Sequence, residues 1–426
     1  MAFSAVTNIF PYALEFAKRL KQKIDAPFVF GGVHASALPE YLLSHEEIDY
    51  VILGEGEHAL EELAASIGKN EKPYGIRNLC YKKDNSFEIN PVRPLIEDLD
   101  SLPFPEKDLF FRDKAFQNQL IMITSRGCLF KCSYCVNNFS QNKLYSNMPG
   151  KIPHLRRRSV DNVIEEIKQC TSRFPIDNIF ITDEIFSINP GWLREFVEKY
   201  RKETAGLPFS FCYHPKSLTE ETAALISSAG GYFAQGAIET ANENLRRTVL
   251  KRFEKNEEIV RAAGILHKHN IKVSTSAIFG IPHETAATRW ETIDLIEEIS
   301  PDMVNSYIMY PFPGTEIADI ALKDGFLSAE NYDKICRGLS SYHQYSLLDL
   351  PDAGNAHTMA KLLPLYIKVP SFFKPLIKWM MKRSMPATAH FIYVVSVPFI
   401  YSGWTRSWIK NLMNLVLSGF SLKKRI

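Results

Sequence analysis

Apolar and polar positions change rhythm several times along this chain, and each change marks an element. Pro27-Phe-Val-Phe-Gly-Gly32 and Ile48-Asp-Tyr-Val-Ile-Leu-Gly54 are short apolar runs ending in glycine, as buried strands do. Residues 12–23 and 58–67 repeat their apolar positions at helical spacing. Buried strands alternating with amphipathic helices predict a doubly wound, Rossmann-like parallel sheet over residues 1–90. Pro91, Pro94, Pro103 and Pro105 then exclude helix and central strand, so residues 91–117 read as a linker. Beyond it, strands are predicted over 120–124, 178–182, 208–212, 232–238, 272–279 and 303–309, with helices between them. Such an α/β pattern predicts a partial (β/α)₆ TIM-like barrel over 118–320, with its chemistry at the strand C-termini. Residues 321–426 read as a mostly helical, basic region.

Composition refines this picture little. The chain has 426 residues, enough for two domains and an appendage, and its 46 % apolar and 23 % charged content is that of a globular protein. Seven cysteines do not make a disulfide scaffold at this length; with no basic stretch ahead of an apolar core at residues 1–10, they predict a reducing, cytoplasmic setting. Charge is more informative. The net charge is +2, yet residues 353–426 hold eleven cations and no Asp or Glu, leaving residues 1–352 at −9.

The candidate chemistry lies in Ser125-Arg-Gly-Cys-Leu-Phe-Lys-Cys-Ser-Tyr-Cys-Val-Asn-Asn138. Cys128, Cys132 and Cys135 form C-x₃-C-x₂-C. Soft thiolates suit iron–sulfur clusters and zinc. A structural zinc site wants four closed ligands, whereas a cubane cluster held by three cysteines keeps one iron open. Cys80 and Cys170 are single and distant, so the triplet fits an open cluster better than a closed zinc site.

This motif, with Tyr134 before the third cysteine, resembles that of the radical S-adenosylmethionine (radical SAM) superfamily. The resemblance implies a 4Fe-4S cluster on Cys128, Cys132 and Cys135 whose open iron binds S-adenosylmethionine, which is cleaved reductively so that hydrogen is abstracted from an unreactive C–H bond. Further elements follow in order. Asp183-Glu184 ends the second barrel strand, where the family has an acidic pair near the substrate or the methionine amino group; a helix N-cap is the other reading. Gly236-Ala-Ile-Glu-Thr240 is similar to the family's G-x-E-S element, implying ribose contact by Glu239, with Thr240 for serine. Ser276-Ala-Ile-Phe-Gly-Ile-Pro-His283 resembles the element near the adenine, implicating Ile278 and Gly280, although His283 stands where glycine is usual. Pro311-Phe-Pro-Gly-Thr315 resembles the family's P-x-P-G-T turn.

Phe30-Gly-Gly-Val-His-Ala-Ser36 and the run ending Gly54-Glu-Gly56-Glu57 resemble the latter half of the cobalamin-binding domain that many of these enzymes carry. The resemblance implies that Gly31, Gly32, Gly54 and Gly56 face the cobalamin nucleotide tail. No counterpart of the family's D-x-H-x-x-G cobalt-ligand loop is present, and His34 follows the glycines rather than occupying that loop. An incomplete domain with weak or no cobalamin binding by this chain alone is therefore expected.

The leading expectation is a radical SAM enzyme, with cobalamin a C-methyltransferase and without it a radical oxidase or cyclase. A non-catalytic iron–sulfur or zinc protein is the alternative from another class. Catalytic residues are not identifiable. Expected partners are a small-molecule or lipid substrate and an external electron donor such as flavodoxin or ferredoxin, with no nucleic acid. In the tail, apolar stretches within 362–367, 372–381, 391–401 and 408–417 alternate with cations, and Trp379, Trp404 and Trp408 sit at their edges. None is long enough to span a bilayer. They predict either helices lying in an anionic membrane surface, on the inner face, or a helical cap on the barrel.

Overall fold

The computed structural model describes residues 1–112, 118–146, 155–204, 206–343 and 345–401. The first body comprises β1 (Ala2–Ser4), α1 (Phe10–Lys21), β2 (Val29–Gly31), α2 (Val33–Ala37), α3 (Pro39–Leu43), β3 (Tyr50–Ile52), α4 (Glu57–Gly68), β4 (Leu79–Lys83) and β5 (Ser86–Ile89). The sheet order is β1-β2-β3-β4-β5, parallel through β3 and antiparallel from there. The expected parallel sheet thus gains a hairpin. Two antiparallel strands need only a tight turn, and Asp84, at φ 51°, lies in that turn. Phe10, Phe28, Phe30, Leu42 and Val51 form the core of this body.

After the proline-rich linker and α5 (Asp108–Arg112), the second body runs through β6 (Gln119–Met122), β7 (Ser125–Arg126), α6 (Val136–Phe139), β8 (Arg156–Arg157), α7 (Val160–Arg173), β9 (Asn178–Ile181), α8 (Pro190–Glu203), β10 (Phe209–Cys212), α9 (Glu220–Ser228) and β11 (Gly231–Gln235). It continues with α10 (Glu243–Thr248), α11 (Asn256–Lys268), β12 (Lys272–Phe279), α12 (Ala286–Ile299), β13 (Met303–Ile308), α13 (Glu316–Lys323) and α14 (Ala329–Cys336). Six strands pair in parallel in the order β13-β12-β11-β10-β9-β6, the predicted partial barrel. Ser159, Asn189 and Thr219 each accept a backbone N–H at the start of α7, α8 and α9, which sets where the crossover helices begin.

Side chains on a strand alternate between faces. Ile179, Ile181, Phe209, Phe211, Ala234 and Val273 point outward into one core with α7, α8, α9 and α11. The intervening residues face the lumen, among them Cys212, Gln235, Ser274, Ser276, Asn305 and Tyr307.

The C-terminal helices α15 (Ala353–Lys368), α16 (Lys374–Met381) and α17 (Pro386–Ile400) cap this barrel. Met359, Leu362 and Leu363 of α15 share a core with α12, β12 and β13. Val397 and Ile400 of α17, with Tyr401, pack on Phe233 and Met303 at the start of the strands, closing that end of the lumen. Of the stretches expected to face a membrane, 362–367 is therefore largely buried in the cap, while 372–381 exposes Phe372, Leu376 and Trp379. Trp404, Trp408 and the stretch 408–417 lie outside the described residues. Among the described residues, no helix is long and apolar enough to cross a membrane.

Candidate active site at the strand ends

The cysteine loop leaves β6 and is tied on both sides to later parts of the chain. Ser133 donates its backbone N–H to Leu250 O at 3.0 Å and its hydroxyl to Val249 O at 2.6 Å, and its carbonyl accepts Ile317 N–H at 3.0 Å. Gln141 Nε2 donates to Cys128 O at 3.0 Å, and Phe130 stacks on His214 with ring centroids 3.8 Å apart. Cys128, Cys132 and Cys135 are all half-buried and free of disulfides. Burial pushes the Cys132 and Cys135 thiols up to about 11 each, so binding iron would have to displace their protons. Among the described residues, no three His, Cys, Asp or Glu side chains converge on one ion position. A cubane has no such requirement, because each thiolate holds a different iron. The donor set fits a cluster of that type.

Beside this loop lies a buried charged network that the sequence did not reveal. Tyr134 donates its hydroxyl to Glu239 Oε1 at 2.8 Å. Arg252 Nη1 donates to that same hydroxyl at 3.1 Å and stands 3.6 Å from Glu239 Oε1. Arg252 also pairs with Glu254, whose other oxygen is 3.5 Å from His214 Nε2. Burial pushes the Glu239 carboxyl up, with Arg252 opposing it. For Glu254, burial also acts upward, but the His214 hydrogen bond and the Arg252 charge outweigh it and hold the carboxyl down at about 2. Glu239 Oε2 is buried without a well-formed hydrogen bond, the Ser276 side chain being the group that lowers the carboxyl from that side, and Glu239 itself has φ 61°. A buried carboxylate oxygen left unpaired costs roughly 1–3 kcal/mol or more, so its persistence calls for a water, ion or ligand to meet it. No local pattern marks Arg252, Glu254 or His214; they are recognisable only once the chain is folded.

The other predicted residues divide. Glu184 is exposed and accepts Asn137 Nδ2 at 2.8 Å, beside the cysteine loop. Ile278 packs in the same apolar cluster as Tyr134. Gly280 has φ 77° and donates its N–H to Glu284 at 2.6 Å. Gly236 is a packing position, since a Cβ there would stand 2.6 Å from the Tyr213 ring. His283 keeps the glycine-like backbone with φ 67°, its ring turned outward to Asp324 at 2.9 Å.

Two expectations are corrected. Asp183 accepts from Thr124 N–H at 2.6 Å, Thr124 Oγ1 at 2.5 Å, Ser125 N–H at 3.1 Å and Ser125 Oγ at 2.7 Å, so its lone pairs serve the approach to the cysteine loop rather than a ligand. Thr240 is fully buried, with its hydroxyl 3.4 Å from that of Thr292 on α12, facing away from the lumen.

The glycines of the front body adjoin the same region. Gly31 leaves room for a close backbone approach, and Gly32 has φ 93° with Ala5 O 2.9 Å from where a Cβ would stand. Gly54, at φ 63°, has the Tyr145 hydroxyl 2.0 Å from its Cβ position, and Gly56 lies against Ile52. Between them Glu55 accepts Arg126 Nη1 at 3.0 Å, Arg156 Nη1 at 2.9 Å and Ile96 N–H at 2.8 Å. Glu57 accepts Arg126 Nη2 at 2.6 Å. The front body is thereby ionically joined to the chain two residues before Cys128. His34 is buried, its Nδ1 3.2 Å from Thr7 Oγ1, and burial lowers it to about 4.

The profile of the radical SAM superfamily matches residues 122–296, from the end of β6 into α12. Residues 122–296 therefore form a radical S-adenosylmethionine domain. The profile of the B12 binding domain matches residues 1–64. An uncharacterized methyltransferase of Pyrococcus horikoshii is 26 % identical over 339 residues, covering 78 % of this chain and 72 % of that one. The radical S-adenosylmethionine methyltransferase TsrM from Kitasatospora setae, solved with tryptophan and a SAM analogue, has the same fold, with TM-score 0.63 at 19 % identity over 76 % of this chain. The cobalamin-dependent radical enzyme OxsB, solved with aqua-cobalamin and S-adenosylmethionine, gives TM-score 0.65 at 15 % identity over 99 % of this chain. The chain spans 65 % and 66 % of those two solved chains. The radical SAM match implies a 4Fe-4S cluster and S-adenosylmethionine as cofactors of this domain. Against the expectation of weak binding, the match over residues 1–64 supports cobalamin as a further one.

Proposed function

We propose that this radical SAM enzyme is a cobalamin-dependent C-methyltransferase of a small-molecule or lipid substrate, fed by an external one-electron donor. When bound, the cluster supplies the electron for reductive cleavage of S-adenosylmethionine and cobalamin carries the methyl group. In this reading Cys128, Cys132 and Cys135 hold the cluster, and the barrel over 118–320 binds S-adenosylmethionine. The front domain, 1–90, offers the corrinoid the open backbone at Gly31, whereas Ala5 O, the Tyr145 hydroxyl and Ile52 fill the space beside Gly32, Gly54 and Gly56, and α17 closes the strand-start end of the barrel. The observation that carries it is the orphan Oε2 of Glu239, next to a cysteine-loop tyrosine; a carboxylate with a free oxygen suits the ribose diol, as in dinucleotide folds. Tyr134 and Arg252 hold that carboxylate in place, while Ile278, Gly280 and Gly236 offer an apolar, close-fitting wall and Glu184 faces the loop.

Anaerobic reconstitution tests the proposal. Added S-adenosylmethionine should shift the EPR spectrum of the reduced cluster, reductant should yield 5′-deoxyadenosine, and hydroxocobalamin should copurify stoichiometrically. A reconstituted protein giving neither EPR shift nor 5′-deoxyadenosine is instead an iron–sulfur or zinc protein without turnover. One giving both without retaining corrinoid is a radical oxidase or cyclase.

A second reading, membrane-surface contact, rests on α16 and the turn before it. Phe372 is 71 % exposed, Leu376 58 % and Trp379 49 %, with Lys374, Lys378 and Lys382 interleaved. Lys374 pairs with Glu297 at 2.7 Å and Lys378 lies over Trp290, so the basic rim is partly committed to the protein. Because α15 belongs to the barrel core, the test keeps the chain whole. Phe372→Ser/Leu376→Ser/Trp379→Ser should abolish co-sedimentation with anionic liposomes; equal recovery of variant and parent in the supernatant at low salt removes the idea.

A further inference from the structure

Lys361 of α15 is 7 % exposed and, among the described residues, makes no ion pair with a carboxylate. Most other buried cations differ: Lys107 and Arg158 share Glu166, Arg156 meets Glu55, Arg252 meets Glu239 and Glu254, and Arg289 meets Glu284 and Asp352, while Arg246, which makes no ion pair, donates to Thr240 O, Glu254 O and Asn256 Oδ1. Lys361 Nζ donates to His343 O at 2.5 Å and lies 5.0 Å from the Tyr393 ring centroid. An ammonium has three donors, and among the described residues that carbonyl is its one hydrogen-bond acceptor. Burial lowers the amine to about 8, the expected response of a buried cation with no counter-ion.

The surroundings lead into the lumen. The Tyr307 ring centroid is 5.5 Å from that of His343, and Tyr307 lies in register with Ile278 of β12, whose N–H donates to Glu239 O at 2.9 Å at the cofactor end. Asn305 and Tyr307 are lumen-facing and half-buried, and Tyr401 donates to Asn305 Oδ1 at 3.5 Å. A row of hydroxyl and amide groups therefore runs from Glu239 to a buried positive charge at the capped side of the barrel. Such a charge is stabilised by an anion that accepts its free N–H bonds, and neighbouring tyrosine hydroxyls can donate to the same group.

We propose that Lys361 binds an oxyanion of the substrate, a carboxylate or a phosphate, and so anchors an acidic substrate in the lumen with its reacting carbon toward the cysteine loop. This deepens the methyltransferase reading and rests on it only for the statement that the bound molecule is the substrate.

The test uses full-length reconstituted protein and calorimetric titration with octanoate, octyl phosphate, octanol and inorganic phosphate. Octanoate or octyl phosphate should bind at least about tenfold more tightly than octanol. Lys361→Met should erase that preference and Lys361→Arg retain it, with iron content and melting temperature reporting on folding. Tight binding of inorganic phosphate alone would identify a free-ion site, and equal binding of octanoate and octanol, or undiminished anion binding by Lys361→Met, would equally overturn the proposal. Should Lys361→Met fail to fold, the parent protein decides. The favoured anion must protect Lys361 from reductive methylation, read by peptide mass, and equal modification with and without it counts against the idea. Absence of a SAM-induced EPR shift in the same preparation would strike the enzyme reading and leave the binding result intact.

Discussion

Asp183 and Glu239 both follow a barrel strand, β9 and β11, and both are buried carboxylates, yet they are partnered in opposite ways. Asp183 accepts four hydrogens from Thr124 and Ser125, with none of its capacity facing a ligand. Glu239 has one oxygen engaged by Tyr134, while the other makes no well-formed hydrogen bond and has only the Ser276 hydroxyl to favour its charge. Position at a strand end is thus only a licence to act on a ligand. Whether an acid does so depends on how many of its lone pairs the fold has already taken.

The largest effect should come from breaking the saturated acid. Asp183→Ala leaves four donors without an acceptor in a buried site, which should cost about 3–5 kcal/mol in chemical denaturation and impair cluster assembly. Arg252→Met should follow at about 3 kcal/mol, because it leaves Glu239 and Glu254 buried without their cation. Near-parental stability of Arg252→Met would mean the network is not a unit.

Glu254 sharpens the comparison through pH. Its folded value, about 2, lies below the ordinary carboxyl value of 4.5, so it contributes stability that is present above pH 4.5 and lost as pH falls toward 2. That contribution is on the order of 2–3 kcal/mol. Glu254→Gln should flatten the acid limb of the stability profile; an unchanged limb would place the acid sensitivity elsewhere. The smallest change in stability, within about 1 kcal/mol, is expected for Glu239→Gln, which keeps an acceptor for Tyr134. That variant should instead bind S-adenosylmethionine roughly tenfold more weakly, measured by EPR titration. A variant that melts like Asp183→Ala would erase the distinction between the two acids.

What was legible in the sequence is what is local. The six barrel strands, the cysteine triplet, Tyr134 and the Glu239 turn each lie within a dozen residues whose pattern carries the information. The charged network does not: Tyr134 and Arg252 are 118 residues apart, and only the return of the chain after α10 brings them together. Asp183 illustrates the converse. Its sequence context fits a ligand contact or a helix cap, and its true partners, Thr124 and Ser125, are 59 and 58 residues away. The β4–β5 hairpin was missed because the alternation of strand and helix before it argued for another parallel crossover. The cap was half legible. Periodicity showed apolar helices, but only packing shows that α15 turns its apolar side to the barrel while α16 turns Phe372, Leu376 and Trp379 outward.

The ionic joint at Glu55 and Glu57 has a mechanical consequence. Arg126 grips both carboxylates and is two residues from Cys128, with Gly127 at φ 87° between them. Any displacement of the front body would therefore reach the first thiol of the triplet through a single intervening residue. The two halves of the molecule share a fulcrum at Arg126.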